Sequence, residues 1–149
     1  MSLRLRVLKE ERRLELWEGE ACLGAWPCRL GRAPLGPKRR EGDGRTPEGR
    51  FYVCTRNAAS RFHRFLGLSY PRPEDAEGRA EYTAIAEAHA RGLRPPWDTP
   101  LGGQIGVHGA PNGQAMPEGD WTEGCIALDD DVMDLLWERC ALGTPVEIA

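Results

Sequence analysis

The stretch from Gln104 to Leu128 constrains this chain more than any other. Ile105 and Val107 alternate with Gly106 and His108, which predicts a short strand ending at a histidine, and the run Gly109-Ala110-Pro111-Asn112-Gly113 then breaks it. Further on, Gly124-Cys125-Ile126-Ala127-Leu128 sets a cysteine between a glycine and three apolar residues. His108 and Cys125 stand seventeen positions apart, with Pro111, Gly113, Pro117 and Gly119 between them to bend the chain back. A fold that accommodates this stretch lets an imidazole and a thiol meet.

That meeting has chemical meaning. The thiolate is the nucleophilic form of cysteine, and a neighbouring imidazole lowers the thiol pKa or takes its proton during attack. Gly124, lacking a Cβ, leaves room for a substrate carbonyl, and the N–H groups of Gly124 and Cys125 are the expected donors to its developing oxyanion. The residues alone leave a second reading open, with Cys125 a small buried hydrophobe and His108 a hydrogen-bonded strand residue.

His108-Gly109, a loop, then Thr122-Glu123-Gly124-Cys125-Ile126 resembles the signature of the L,D-transpeptidase catalytic domain (YkuD) family. That signature is a His, often followed by Gly, then Ser or Thr, a variable residue, Gly, Cys and a hydrophobic residue. Asp120-Trp121 ahead of it and Ala127 after Ile126 resemble the family's YafK-like branch of small proteins. So do Gly36-Pro37-Lys38, Glu41-Gly42-Asp43-Gly44-Arg45-Thr46-Pro47-Glu48-Gly49 and Ser69-Tyr70-Pro71, so the similarity runs over most of the chain. Two positions depart from the pattern. Many members carry His where Glu123 stands, and Arg or Asn, which helps to hold substrate, where Ala127 stands. Glu123 would either repel an acidic peptide or stabilise an imidazolium.

The resemblance implies a mainly β sandwich with one or two packed helices, and a cysteine acyltransferase acting on peptidoglycan stem peptides. In it Cys125 is the nucleophile and His108 the general base and acid. Gly109, Thr122, Glu123 and Gly124 form the loop around the oxyanion site, with Thr122 orienting that loop. His63 and Tyr70 line the cleft as substrate contacts. Read from its residues alone, the loop from Gly31 to Gly49 is either a solvated mobile turn or one in which Lys38 or Arg45 holds peptide carboxylates. Release of D-alanine with transfer to an amine gives a 3→3 cross-link, and transfer to water gives L,D-carboxypeptidase activity. Two rivals are a catalytically impaired module that binds wall peptides, and a thiol hydrolase on another amide or thioester.

Composition narrows the partners. At 149 residues the chain fits one domain spanning 1–149, large enough for a core without metal or disulfides. A net charge of −3 gives no basic footprint, so nucleic acid is disfavoured. The long loop from Gly31 to Gly49 is rich in glycine but carries no Walker or dinucleotide spacing. Five cysteines include no C-x-x-C pair; the odd number suits a catalytic thiol, and the other four are expected free rather than bridged. His63, His108 and Cys125 lack zinc-ligand spacing, so neither metal nor cofactor is expected. A monomer is expected. No run of about 20 apolar residues reads as a membrane span, and no signal peptide is recognised. The periplasmic or cell-wall location implied by the resemblance therefore requires a replaced leader or a different use of this member.

Along the chain, Leu3, Leu5 and Val7, then Leu14 and Leu16, predict a hairpin, followed by a third strand over 21–30 in which Pro27 indicates an edge or a bulge. Strands are expected at 50–55, 61–71 and 144–148. Helices are expected over 74–91, stopped by Gly92, and over 130–140, capped by Asp129.

Overall fold

The computed structural model describes residues 2–149. Its strands are β1 (Leu3–Leu8), β2 (Arg13–Glu18), β3 (Ala21–Pro27), β4 (Gly49–Asn57), β5 (Phe65–Leu68), β6 (Gly106–His108), β7 (Ile126–Ala127) and β8 (Pro145–Ile148); its helices are α1 (Tyr82–Ala90) and α2 (Asp130–Arg139). The strands form one curled, eight-stranded sheet in the order β3-β2-β1-β8-β4-β5-β6-β7. This is the mainly β architecture with two helices that the sequence leads one to expect.

Alternation explains the N-terminal half of the sheet. In the β1–β2 hairpin Leu5 faces Leu16 and Val7 faces Leu14; β8 then joins β1 in parallel, with Val146 beside Leu5 and Ile148 beside Val7. Phe51 of β4 pairs with Val146 on the other side. One apolar row, Leu16-Leu5-Val146-Phe51, thus crosses four adjacent strands, and each member is buried. Side chains of period two reach one face only, so this register is fixed by the core. Each fully buried side chain stabilises the fold by roughly 1.5–3 kcal/mol. Val132, Met133 and Leu136 of α2 join the same core together with Leu66, Val107, Ile126 and Leu128.

Three expectations change in detail. The third strand ends at Pro27, because proline has no N–H to continue the ladder, and β3 is indeed an edge. Residues 28–32 leave the sheet edge and run along the segment that carries the cysteine, with bridges at Arg29–Ala127 and Gly31–Thr122. The helix expected over 74–91 is only α1, preceded by a 3-10 turn at Pro73–Asp75. Gly78 lies between them at φ +75°, a conformation that interrupts a right-handed helix. Within 61–71 only β5 is strand. Asp129 stands at the N-terminus of α2, but its side chain makes no cap hydrogen bond and pairs with Arg29 at 3.0 Å.

The loop over 31–49 is tightly pinned. Lys9 Nζ donates to the carbonyls of Gly36 (3.0 Å) and Thr46 (2.7 Å) and to Glu48 Oε2 (3.1 Å). Asp43 accepts from Lys38 Nζ at 2.8 Å and from the backbone N–H groups of Arg39, Arg40 and Arg45. These bonds lay the loop against Gly124, whose added Cβ would stand 2.6 Å from the Arg45 carbonyl oxygen.

Candidate active site

β6 and β7 are parallel neighbours, with Val107 opposite Ile126 and His108 opposite Ala127. Continuing that register sets Cys125 beside Gly106, and the Gly106 N–H donates to Cys125 Sγ at 3.3 Å. Alternation then puts the His108 and Cys125 side chains on one face as diagonal neighbours, a relation that separates residues by about 7–8 Å. Both line one cleft of about 790 Å³. Among the described residues no direct hydrogen bond joins them. The thiol instead donates to the Gln104 carbonyl at 3.4 Å.

His108 is buried, and its Nδ1 lies 2.7 Å from the Gly109 carbonyl oxygen. A carbonyl only accepts, so Nδ1 carries the proton and Nε2 keeps its lone pair. The ring is stacked on Phe62, with centroids 3.9 Å apart and planes 15° apart, and Trp121 meets it edge-on at 5.9 Å. Gly109 is needed in its place. A Cβ there would fall 2.4 Å from Asp130 Oδ1, which accepts the Ala110 N–H at 2.9 Å and holds the turn after β6 against α2.

Burial sets the protonation of both groups. It pulls the His108 imidazole down to about 4, against the raising effect of the Gly109 carbonyl, and the Arg61 charge lowers it further. It pushes the half-buried Cys125 thiol up to about 11, opposed by the Gly106 N–H and by the charges of Lys38 and Arg61. At neutral pH the two are therefore a neutral thiol and a neutral imidazole. Burial also pushes Cys28 and Cys54 up to about 12 and Cys140 up to about 11. Acidity does not single out Cys125; its place on the cleft wall does.

The loop before the cysteine is closed by Thr122. Its buried Oγ1 donates to the Cys125 carbonyl at 2.7 Å and accepts the Gly124 N–H at 3.1 Å. The expectation of two oxyanion donors is thereby narrowed, because the Gly124 amide is already engaged. Cys125's own N–H has no partner among the described residues. Gly124 has φ +136°, which an L side chain rarely adopts. Asp120 ties this loop to the sheet, bonding Arg12 through both oxygens and accepting the Leu30 N–H at 3.0 Å.

The expected substrate contacts divide differently. Lys38 does line the cleft, but it is buried and neutralised by Asp43. Arg45 lies off the cleft wall, its guanidinium reaching back to the Pro37 carbonyl. His63 also lies off it, with Nε2 2.6 Å from Asp134 of α2. Tyr70 is in the core, its hydroxyl donating to the Leu101 carbonyl at 2.8 Å, because an aromatic ring beside Phe51 buries more area than it could in the cleft. Glu123 is exposed on the rim and paired with Arg32 at 2.6 Å, so it neither faces the imidazole nor presents a free charge. Phe62, Phe65, Trp97, Trp121, Arg61 and Arg94 line the cleft instead. The aromatic run Phe62–Phe65 was legible as an apolar segment; its contact with His108 was not. Among the described residues no cluster of three or more His, Cys, Asp or Glu is placed to hold a metal ion.

Fold and cleft together define a class: a curled sheet with a tautomer-fixed imidazole at the end of β6 and a thiol just ahead of its parallel neighbour β7, both at the wall of one cleft. The chain belongs to the L,D-transpeptidase catalytic domain (YkuD) family, whose pattern it matches over residues 3–148. Among solved structures it is similar to the helical cell shape determining protein Pgp2 from Campylobacter jejuni, with a TM-score of 0.73 and 18% identity, covering 99% of this chain and 47% of that one. Bd1075 from Bdellovibrio bacteriovorus is similar with a TM-score of 0.63 and 22% identity, over 99% and 47%. An L,D-transpeptidase from Xylanimonas cellulosilytica gives a TM-score of 0.60 and 15% identity, over 99% and 60%. The chain thus spans about half to three-fifths of the length of these structures. A search of curated proteins finds no match. Among the described residues no helix is long and apolar enough to cross a membrane.

Proposed function

We propose that this protein is a cysteine-dependent L,D-transpeptidase acting on peptidoglycan stem peptides, with Cys125 as nucleophile and His108 as general base and acid. The observation that carries this reading is the pairing of a cleft-lining thiol with an imidazole whose Nδ1 is held by the Gly109 carbonyl, leaving Nε2 as the base. Because both groups are neutral, proton transfer accompanies attack rather than preceding it.

In the first half-reaction Nε2 takes the thiol proton while Sγ bonds to the carbonyl carbon of the third stem residue, a diamino acid. The carbonyl oxygen gains the electron pair and accepts from the Cys125 N–H. Collapse breaks the C–N bond, and the imidazolium gives its proton to the departing D-alanine amine, leaving a thioester. The side-chain amine of a second stem peptide then attacks the thioester carbon, giving a proton to His108 as the C–S bond breaks, and the thiolate is reprotonated. Water in place of the amine releases the free acid. No cofactor enters either step.

Incubation with disaccharide tetrapeptide, followed by mass spectrometry, tests this beside Cys125→Ala and His108→Ala. D-alanine release with dimer formation supports transfer, and release without dimers supports hydrolysis. Binding without any product would favour the non-catalytic wall-peptide module and overturn the reading.

A further inference from the structure

Charges on the cleft wall are unevenly spent. Lys38 is cancelled by Asp43 and Glu123 by Arg32, and Glu41 is the one carboxylate of this wall without an ion pair among the described residues. Among the described residues Arg61 and Arg94 have no ion-pair or hydrogen-bond partner for their guanidinium groups, and both line the cleft. Each rests on an aromatic ring of the same wall, Arg61 5.3 Å from the Phe62 centroid and Arg94 4.9 Å from that of Trp97. Against the one uncancelled carboxylate, Glu41, the two guanidinium groups leave this cleft with a net charge of +1 in a chain of net charge −3.

The two arginines are not equivalent. Arg61 neighbours the reacting pair: Phe62, the ring beneath its guanidinium, is the ring stacked on His108, and its charge acts on both His108 and Cys125. Arg94 acts on neither; its charge acts on Cys54, off the cleft wall. The backbone under Arg61 is also fixed. Its carbonyl accepts the Asn112 N–H at 3.0 Å, the Ser60 carbonyl accepts Asn112 Nδ2 at 2.8 Å, and Phe62 bridges to Pro111. An exposed guanidinium held on a rigid turn and stacked on a ring loses little freedom on binding an anion, and its planar fork suits a carboxylate.

Resting on the transpeptidase reading above, we propose that Arg61 selects substrate by charge, its unpaired guanidinium binding the free terminal carboxylate of the stem peptide beside the Cys125–His108 pair. The reacting carbonyl lies one residue from that carboxylate in a tetrapeptide, so a cation next to the dyad reads the end of the chain. Ala127 fits this division of labour. It is buried in β7 and offers no charge, so recognition falls to the β4–β5 loop.

The test compares an N-acetylated stem tetrapeptide ending in D-alanine carboxylate with the same peptide ending in carboxamide. Calorimetric binding to Cys125→Ala protein removes turnover from the measurement. The carboxylate peptide is expected to bind about tenfold tighter or more, as for a charge-assisted hydrogen bond. Arg61→Gln in the same background abolishes that preference, Arg61→Lys restores part of it, and Arg91→Gln, an exposed charge at the end of α1 away from the cleft, leaves it intact. In the protein with Cys125 present, Arg61→Gln raises KM for the carboxylate peptide far more than it lowers kcat. A preference that survives Arg61→Gln, or that vanishes instead with Arg94→Gln, overturns the assignment. Carboxylate preference lost with Arg61→Gln in a protein that turns nothing over supports Arg61 while sinking the transpeptidase reading. Turnover with an unaltered preference does the reverse.

Discussion

Nδ1 of His108 lies 2.7 Å from the carbonyl oxygen of the next residue, Gly109, so Nδ1 carries the ring's proton and Nε2 keeps its lone pair. His108→Ala removes the proposed base and is expected to lower kcat/KM for D-alanine release about 10²–10⁴-fold, with the fold retained by circular dichroism. A rate within threefold of the parent protein would exclude His108 from the chemistry.

The pH dependence of thiol reactivity separates a neutral pair from a preformed thiolate–imidazolium pair. With the Cys125 thiol pushed up to about 11, alkylation of Cys125 by iodoacetamide should climb about tenfold per pH unit from pH 7 toward 11. A plateau reached below pH 8, read by peptide mass spectrometry, would show an ion pair instead.

His108 also links stability to acid. Its folded pKa of about 4 lies below the ordinary 6.5, so between those values the unfolded chain holds more protons and stability falls as pH falls. The loss is on the order of 3 kcal/mol from pH 6.5 to 4. Urea titrations at the two pH values should show a smaller loss for His108→Phe, which has no proton to bind.

Thr122→Val keeps shape but removes the hydroxyl that joins Gly124 N–H to the Cys125 carbonyl. A buried N–H and a partly buried carbonyl lose this partner, so unfolding free energy should drop by about 1–3 kcal/mol. Acylation of Cys125 by a carbapenem, followed by mass, should slow as well, because the cysteine loop is no longer closed. Unchanged acylation would assign Thr122 to stability alone.

Asp43→Ala strips the partner from buried Lys38 and frees the Arg39, Arg40 and Arg45 amides. The expected cost is about 3–5 kcal/mol, with Asp43→Asn costing less because it still accepts hydrogen bonds. By contrast Glu123→Gln, which breaks only a rim pair with Arg32, should cost under about 1 kcal/mol. Thermal denaturation orders the three, and a Glu123 effect as large as that of Asp43 would contradict the rim placement.

Local patterning carried much of the fold. Alternation at Leu3–Val7 and Leu14–Leu16 marked the hairpin, and the helical spacing of Val132, Leu136 and Trp137 marked α2 within a residue of its observed end. Ala-rich 74–91 misled, because helix propensity without a deep apolar stripe cannot extend a helix through Gly78; only Ile85 of α1 is buried. Of the expected substrate contacts only Lys38 lies on the cleft wall, and neither residue type nor resemblance foretold that His63, Tyr70 and Arg45 turn elsewhere. Charge and aromaticity name what a side chain can do, not which surface the backbone turns it toward.

The sequence by itself determined where the imidazole and the thiol stand in the chain: a strand that stops at His108, breakers, and Gly124-Cys125 ahead of three apolar residues, because these are local properties of neighbouring positions. Only the tertiary structure decided what surrounds them. The parallel register that sets Gly106 beside Cys125, the Phe62 ring under His108, the Gly109 carbonyl that fixes its tautomer and the uncancelled charge of Arg61 arise from how the folded backbone places and turns these groups. Most of these contacts join segments far apart in the chain, and no local pattern encodes such contacts; the one between neighbours, His108 and Gly109, depends on a backbone turn that is known only once the fold is.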